Sequence, residues 1–114
     1  MKIITKTMTL GELNQMAADM FGDIIKAVVD IDREIAALDA ELHSDLEALL
    51  LENGSKQKNL WGINLYPQAQ NDEFIEFDSI INIRPSQGNK SRGVENPEIK
   101  NKITAIITKM VLRA

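Results

Sequence analysis

Apolar and polar residues near the N-terminus follow a helical period. Thr9 and Glu12 have the spacing of a capping box, in which two side chains satisfy backbone N–H groups at the start of a helix. The apolar residues that follow recur every three or four positions: Leu10, Leu13, Met16, Ala17, Met20 and Phe21. The pattern predicts a helix from about Leu10 to Phe21.

The segment from Asp23 to Asn53 admits two interpretations. Its apolar residues also step by three or four, which favours helix: Ile24, Val28, Ile31, Ile35, Leu38, Leu42, Leu46 and Leu49. Against one long helix, residues 27–32 contain clustered β-branched side chains and polar positions where a hairpin can turn. Either way, Glu41 to Glu52 is predicted to be helical and to end at Asn53-Gly54, a common C-cap pair.

Two later segments alternate with the period of a β-strand. Trp61, Ile63 and Leu65 fall on one face of Leu60–Tyr66, with Gly62, Asn64 and Tyr66 on the other. Ile75–Arg84 alternates similarly, although Ile80 is out of phase. We expect these strands to pair antiparallel, with their apolar faces under helices and a polar outer face.

The last helix is predicted from its capping residues and its apolar stripe. Asn96 is a favourable N-cap, Pro97 suits the first helical position, and Glu98 complements the helix dipole. The helix should extend to about Leu112, with its apolar stripe formed by Ile99, Ile103, Ile106, Ile107, Met110 and Val111.

These elements define an α+β fold with a small antiparallel sheet covered by the N-terminal and C-terminal helices. The length of 114 residues suits a single domain spanning residues 1–114. We expect one core to unite the strands with the last helix, formed by Trp61, Ile63, Ile81, Ile83, Ile103, Ile106 and Ile107.

Composition narrows the class of protein. The chain has no cysteine, which excludes disulfides and thiolate chemistry and fits a reducing cytoplasm. No stretch approaches the roughly 20 apolar residues of a membrane-spanning helix, so we expect a soluble protein without a membrane partner.

The net charge of −4 hides an asymmetry along the chain. Residues 1–83 carry six Lys/Arg and 15 Asp/Glu, whereas residues 84–114 carry seven and two. A polyanion-binding end is one interpretation, and an acidic part packed beside a basic part of the same fold or of a second subunit is the other.

Two blocks of this sequence resemble a known family. They are Leu60-Trp61-Gly62-Ile63-Asn64-Leu65-Tyr66-Pro67 and the stretch Ile81-Asn82-Ile83-Arg84-Pro85-Ser86-Gln87-Gly88-Asn89-Lys90-Ser91-Arg92-Gly93-Val94. The chain resembles a family of small uncharacterised prokaryotic proteins that has no assigned activity. Glycines near the positions of Glu34, Asp39 and Ala40 in that family imply a hairpin across Lys26–Leu38. This chain lacks those glycines, so the resemblance favours the hairpin only slightly over the long helix.

The strongest candidate site is the loop from Arg84 to Arg92. No Asp or Glu occurs between Ser79 and Val94, and Gly88 can free backbone N–H groups for a ligand. The candidate ligand-binding residues are Arg84, Ser86, Gln87, Asn89, Lys90, Ser91 and Arg92. Because the loop leads into a helix N-terminus, it predicts binding of a phosphorylated small molecule or an RNA phosphate.

A rival interpretation is an enzyme. His43 is the single histidine and would act as acid or base, with Arg84 or Arg92 holding an anionic substrate. Its neighbours Glu41 and Asp45 would share a face with it only in an extended segment, so we predict no metal site and no cofactor. A third interpretation is a homo-oligomeric structural or regulatory protein.

Overall fold

The computed structural model describes residues 1–113 of the chain. The strands and helices follow in chain order as β1 (Lys2–Ile4), β2 (Met8–Thr9), α1 (Leu10–Asp19), β3 (Ile25–Asp30), β4 (Ile35–Leu38), α2 (His43–Glu52), β5 (Leu60–Leu65), β6 (Ile75–Glu76), α3 (Pro97–Met110) and β7 (Val111–Leu112). Five strands form an antiparallel sheet in the order β1-β4-β3-β5-β6, and β2 pairs with β7 in parallel. The predicted α+β fold is confirmed.

Helices cover both faces of the sheet. On one face, α1 and α3 pack on the larger apolar cluster, which includes Trp61, Ile63 and Ile103. On the other face, Leu46 and Leu50 of α2 pack on a smaller cluster. All six residues of β5 are therefore buried, and the expected polar outer face is wrong because α2 lies over it.

The segment after α1 is a hairpin, so the long-helix interpretation is wrong. β3 and β4 pair antiparallel, with Asp30 opposite Ile35. The Asp30 carboxylate accepts from the backbone N–H groups of Asp32 (2.9 Å) and Arg33 (3.0 Å), which fixes the turn.

Two residues around β4 have left-handed backbone conformations. Glu34 has φ of 57° and Asp39 has φ of 73°. Glycine adopts this region without a steric cost, whereas other residues do so rarely. These are two of the positions where the resemblance implies glycine, and the hairpin it implies is present without them.

The predicted strand Ile75–Arg84 is wrong beyond its first two residues. β6 pairs with β5 only through Ile75 and Glu76. The chain then leaves the sheet and forms short 3₁₀ turns at Ile80–Asn82 and Pro85–Gln87. Alternation of apolar and polar residues alone does not distinguish a strand from successive turns whose polar side chains form hydrogen bonds to other parts of the chain.

This departure corrects the predicted core. Ile81 packs on the α2 side of the sheet, and Ile83 is 43% exposed. The other residues of the predicted core do lie in the larger cluster: Trp61, Ile63, Ile103, Ile106 and Ile107. Ile81 and Ile83 leave the core because their segment turns away from the sheet edge.

Side chains satisfy the open edge of β5 where β6 ends. Asn82 Oδ1 accepts from the Gly62 N–H at 2.8 Å, and Asn82 Nδ2 donates to the Gly62 carbonyl at 2.9 Å. One amide thus makes both hydrogen bonds that a neighbouring strand would supply. The approach is close, since a Cβ on Gly62 would lie 2.6 Å from Cβ of Ser79.

The helix ends largely follow their sequence signals. Thr9 and Glu12 form the predicted capping box of α1, and Asn96 caps α3 by accepting from the N–H groups of Glu98 and Ile99. α1 ends at Asp19, shortly before the predicted Phe21, and α3 ends at Met110 because Val111 enters β7.

Replacing the Asn82 amide with a carboxylate is predicted to destabilise the fold strongly. In Asn82→Asp, an oxygen replaces the nitrogen that donates to the Gly62 and Arg92 carbonyls, each at 2.9 Å. Two acceptors then face a buried negative charge, so the free energy of unfolding should fall by at least ~3 kcal/mol. The measurement is urea unfolding at neutral pH, with exposed Asn101→Asp in α3 as the matched control, expected within about 0.5 kcal/mol of wild type. Equal stabilities of the two variants would contradict this role of Asn82.

Candidate functional site

The polar loop from Arg84 to Arg92 uses most of its hydrogen-bonding groups internally. Buried Asn89 lies at its centre, with Nδ2 near the carbonyl oxygens of Asn82 (2.8 Å), Ser91 (3.1 Å) and Gly93 (2.8 Å). Its Oδ1 accepts from the Glu95 N–H at 2.8 Å. Asn89 therefore holds the loop in shape, and its buried amide is engaged by the chain and not presented to a ligand.

A carboxylate of the chain itself occupies the backbone donors of this loop. Glu95 Oε2 accepts from the N–H groups of Lys90 (2.6 Å) and Ser91 (2.8 Å). These backbone hydrogen bonds, that of Ser91 first, hold the pKa of Glu95 below its usual value. An external anion at this position would have to displace Glu95.

Arg84 is buried and satisfied by backbone carbonyls. Its guanidinium donates to the carbonyl of Ile81 (3.0 Å), to that of Gln57 (2.8 Å), and to that of Leu60 on the open edge of β5. Arg84 thus continues the edge pairing that Asn82 begins.

Two further contacts fix the Arg84 guanidinium. It lies 4.7 Å from the centre of the Trp61 ring and 3.9 Å from the Glu47 carboxylate on α2. Burial lowers the pKa of Arg84, and Glu47 opposes that shift. With these partners, Arg84 holds the loop against β5 and α2 and is not presented to a ligand.

Of the remaining candidate residues, Gln87 is also engaged by the chain, since its Nε2 donates to the Lys58 carbonyl at 3.1 Å. Ser86 and Lys90 have exposed side chains. Arg92 differs from all of these, because it is exposed and lines a cleft.

Arg92 forms an exposed ion pair. Its Nε donates to Asp78 Oδ1 at 2.7 Å and its Nη2 to Asp78 Oδ2 at 3.3 Å. The side chains are 54% and 42% exposed, so water screens their attraction. The guanidinium therefore remains within reach of a second anion.

The cleft beside Arg92 has a volume of about 240 Å³ and lies at the N-terminal end of α2. Its polar lining residues are Lys26, His43, Ser44, Ser79 and Arg92. Its apolar lining residues are Leu42, Ile80 and Ile81. We refer to this site as the His43 cleft. It brings together β3, the start of α2 and the loop that follows β6.

His43 is 9% exposed and is held by one backbone hydrogen bond. Nε2 lies 2.8 Å from the carbonyl oxygen of Ile63 on β5, so this nitrogen carries the proton of the neutral ring. Burial is the largest cause of a pKa below the ordinary value of 6.5, with Lys26 and Arg92 acting in the same direction. At neutral pH the ring is therefore uncharged and Nδ1 carries a lone pair.

The first turn of α2 has no side-chain cap. Leu42 occupies the N-cap position and offers no hydrogen-bond acceptor. Ser44, in the first turn, lines the cleft with a hydroxyl. The backbone N–H groups that begin a helix favour an anion nearby.

The cleft unites two of the candidate residues and separates the others. His43 and Arg92 line it together, which the enzyme interpretation requires, whereas Arg84 does not. Sequence reasoning missed Lys26, Ser44 and Ser79, because residues distant in sequence meet here only through the sheet. The sequence did give one signal of the cleft: Ile80 breaks the alternation of residues 75–84, and it lines the cleft.

No group of three or more His, Asp or Glu residues is placed to hold a metal ion within residues 1–113. Over the same range, none of the helices combines the length and the apolar character needed to cross a membrane.

Comparison with known proteins assigns the family. The model of a family described as "Protein of unknown function (DUF5674)" matches residues 2–110. The match covers nearly all of the chain, so the chain belongs to this family, and the expectation of an uncharacterised family is confirmed. No curated protein and no solved structure matches the chain.

The burial of His43 predicts a pH dependence of stability. Because its pKa is lower in the folded state than the ordinary 6.5, the unfolded chain binds the proton more readily as pH falls. The contribution of His43 to the free energy of unfolding is therefore complete above about pH 6.5, and it is lost as pH falls towards the folded-state pKa. The measurement is the difference in unfolding free energy between wild type and His43→Gln from pH 8 to pH 5, which should narrow as pH falls. A difference that is constant over this range would contradict the shift.

Proposed function

We propose that this protein binds the phosphoryl group of a phosphorylated small molecule in the His43 cleft. The observation that carries the proposal is the convergence of two cations, Arg92 and Lys26, with the start of α2 around one concave site. Of the loop predicted to bind the ligand, Arg92 is the residue that lines this cleft. Asn89 and Arg84 become the residues that hold the loop in place.

The charges around the cleft support the replacement of Asp78 by a phosphate as the ion-pair partner of Arg92. An exposed ion pair such as Arg92–Asp78 contributes only about 0.2–1 kcal/mol. A phosphate that also contacts Lys26 and the first turn of α2 gains several charge-assisted hydrogen bonds, each worth about 1.5–3 kcal/mol. We therefore expect phosphate to replace Asp78 on the guanidinium.

One hydroxyl group of the cleft suits the same ligand. Ser44 is exposed in the first turn of α2 and can donate to a phosphate oxygen. Ser79 is buried, and its Oγ accepts from the Ile81 N–H at 3.3 Å, so its hydroxyl serves the turn and not the ligand. Ser44 therefore joins Arg92 and Lys26 as a group that a phosphoryl oxygen can contact.

Removing Arg92 should weaken phosphate binding about tenfold or more, because one lost charge-assisted contact corresponds to about that factor in affinity. The measurement is calorimetric titration of inorganic phosphate into wild type and Arg92→Ala at low ionic strength. Lys90→Ala is the matched control, since Lys90 is an exposed cation of the same loop that does not line the cleft. Its affinity should stay within about twofold of wild type.

The partner of Arg92 provides the opposite test in the same titration. Asp78→Asn removes a negative charge next to the guanidinium, so phosphate should bind more tightly. Equal weakening by Arg92→Ala and Lys90→Ala would show a diffuse charge effect and would contradict a defined site at the cleft.

A second candidate function is acid–base catalysis on an anionic substrate. The specific observation in its favour is that His43 and Arg92 line the same cleft. The Ile63 carbonyl fixes the proton on Nε2, so Nδ1 of the neutral ring is the atom that can accept a proton. Arg92 would hold the substrate's anionic group in this reaction.

The enzyme interpretation predicts turnover that depends on His43. If phosphate monoesters and diesters are screened as substrates, His43→Gln should reduce any turnover by about 10² to 10⁴. The expected profile for wild type falls at acidic pH, because protonation of His43 removes the base. Turnover that survives in His43→Gln would exclude His43 as the base, while phosphate binding by both proteins would leave the binding function intact.

A further inference from the structure

Exposed apolar side chains border the His43 cleft beside its charged groups. Ile80 is 69% exposed and Leu42 is 54% exposed, and both line the cleft together with the partly buried Ile81. Single exposed apolar residues are common on protein surfaces and carry little information. Here two of them meet at one concave, positively charged site, which is a combination typical of ligand pockets.

Both side chains are held outside the core by the local fold. Ile80 is the first residue of a 3₁₀ turn. Ser79 fixes the start of this turn, because its Oγ accepts from the Ile81 N–H. The Asn82 amide fixes the end of the turn through its hydrogen bond with Gly62. Leu42 occupies the N-cap position of α2, where a polar residue would satisfy the helix N-terminus better. Neither position is stabilised by burying its own side chain.

We propose that the ligand is a phosphate monoester of one small apolar or aromatic group, with the phosphoryl group at Arg92 and the apolar group between Leu42 and Ile80. This inference rests on the proposed function and adds the class of ligand. Contact with the two side chains removes apolar surface of both partners from water, which inorganic phosphate cannot do.

The size of the cleft suits a small organic group. Pockets for drug-sized ligands span roughly 300–1,000 Å³, and the His43 cleft holds about 240 Å³. One phosphoryl group and one ring fill such a volume, whereas a dinucleotide exceeds it. Phenyl phosphate is therefore a suitable probe.

The test compares phenyl phosphate with inorganic phosphate by calorimetric titration in a buffer without phosphate. Wild type should bind phenyl phosphate at least ~10-fold more tightly, because the ring adds buried apolar area. Amide chemical shifts of Leu42, Ser44 and Ile80 should move on titration, which places the ligand in the cleft.

Variants of the apolar border separate its role from that of the charges. Ile80→Ala and Leu42→Ala remove apolar surface without adding a hydroxyl that could cap α2 or contact phosphate, so they should reduce the preference for phenyl phosphate to about twofold with little change in the affinity for inorganic phosphate. Ile83→Ala is the matched control, because Ile83 is 43% exposed in the same segment and does not line the cleft. Thermal unfolding of each variant establishes that it is folded before titration.

The outcomes distinguish the two proposals. Equal affinities of wild type for phenyl phosphate and inorganic phosphate would overturn this inference and leave the phosphate site intact. A preference for phenyl phosphate that survives in both Ile80→Ala and Leu42→Ala would also overturn it. No binding of inorganic phosphate by wild type would overturn the proposed function instead.

Discussion

The structure depends on how the chain satisfies the open edge of β5. This strand lies inside the sheet and is buried on both faces, yet its neighbour β6 pairs with only its last two residues. Unpaired backbone groups in such a place are costly, because no water reaches them to form hydrogen bonds. Asn82 supplies both bonds to Gly62, and Arg84 supplies a donor to Leu60. Most of the polar segment after β6 is arranged around these contacts.

That constraint gives a structural meaning to the most unusual part of the sequence. A loop rich in amides, hydroxyls and cations suggests ligand binding, but Asn89 and Arg84 use their groups on the chain itself. The basic C-terminal part likewise meets acidic residues of the N-terminal part within one chain, as Arg84 does Glu47 and Arg92 does Asp78. Only Arg92 among these groups is exposed at a cleft, and for that reason the functional proposals centre on it.

Sequence reasoning succeeded where the signal is local. The capping box at Thr9, the cap at Asn96 and the strand at Leu60–Leu65 each depend on residues a few positions apart, and each is present. It failed for Ile75–Arg84, because the alternation there reflects side chains recruited by β5, a contact between distant segments. The cleft could be predicted only in part for the same reason. His43 and Arg92 stood out by residue type, whereas Lys26 becomes relevant only once β3 is placed beside β5.

The parallel pair of β2 and β7 joins two segments about 100 residues apart in sequence, with Met8 opposite Val111. Some parts of the fold therefore form from neighbouring segments, and others need contacts between segments far apart in sequence. The hairpin of β3 and β4, the helix α2 and the strand β5 are contiguous in sequence and can associate with little loss of loop entropy. The layer formed by α1 and α3 joins helices that are separated by most of the sequence, so it must close a long loop. During synthesis the apolar face of α1 stays without α3, its partner in the larger cluster, until α3 itself has emerged.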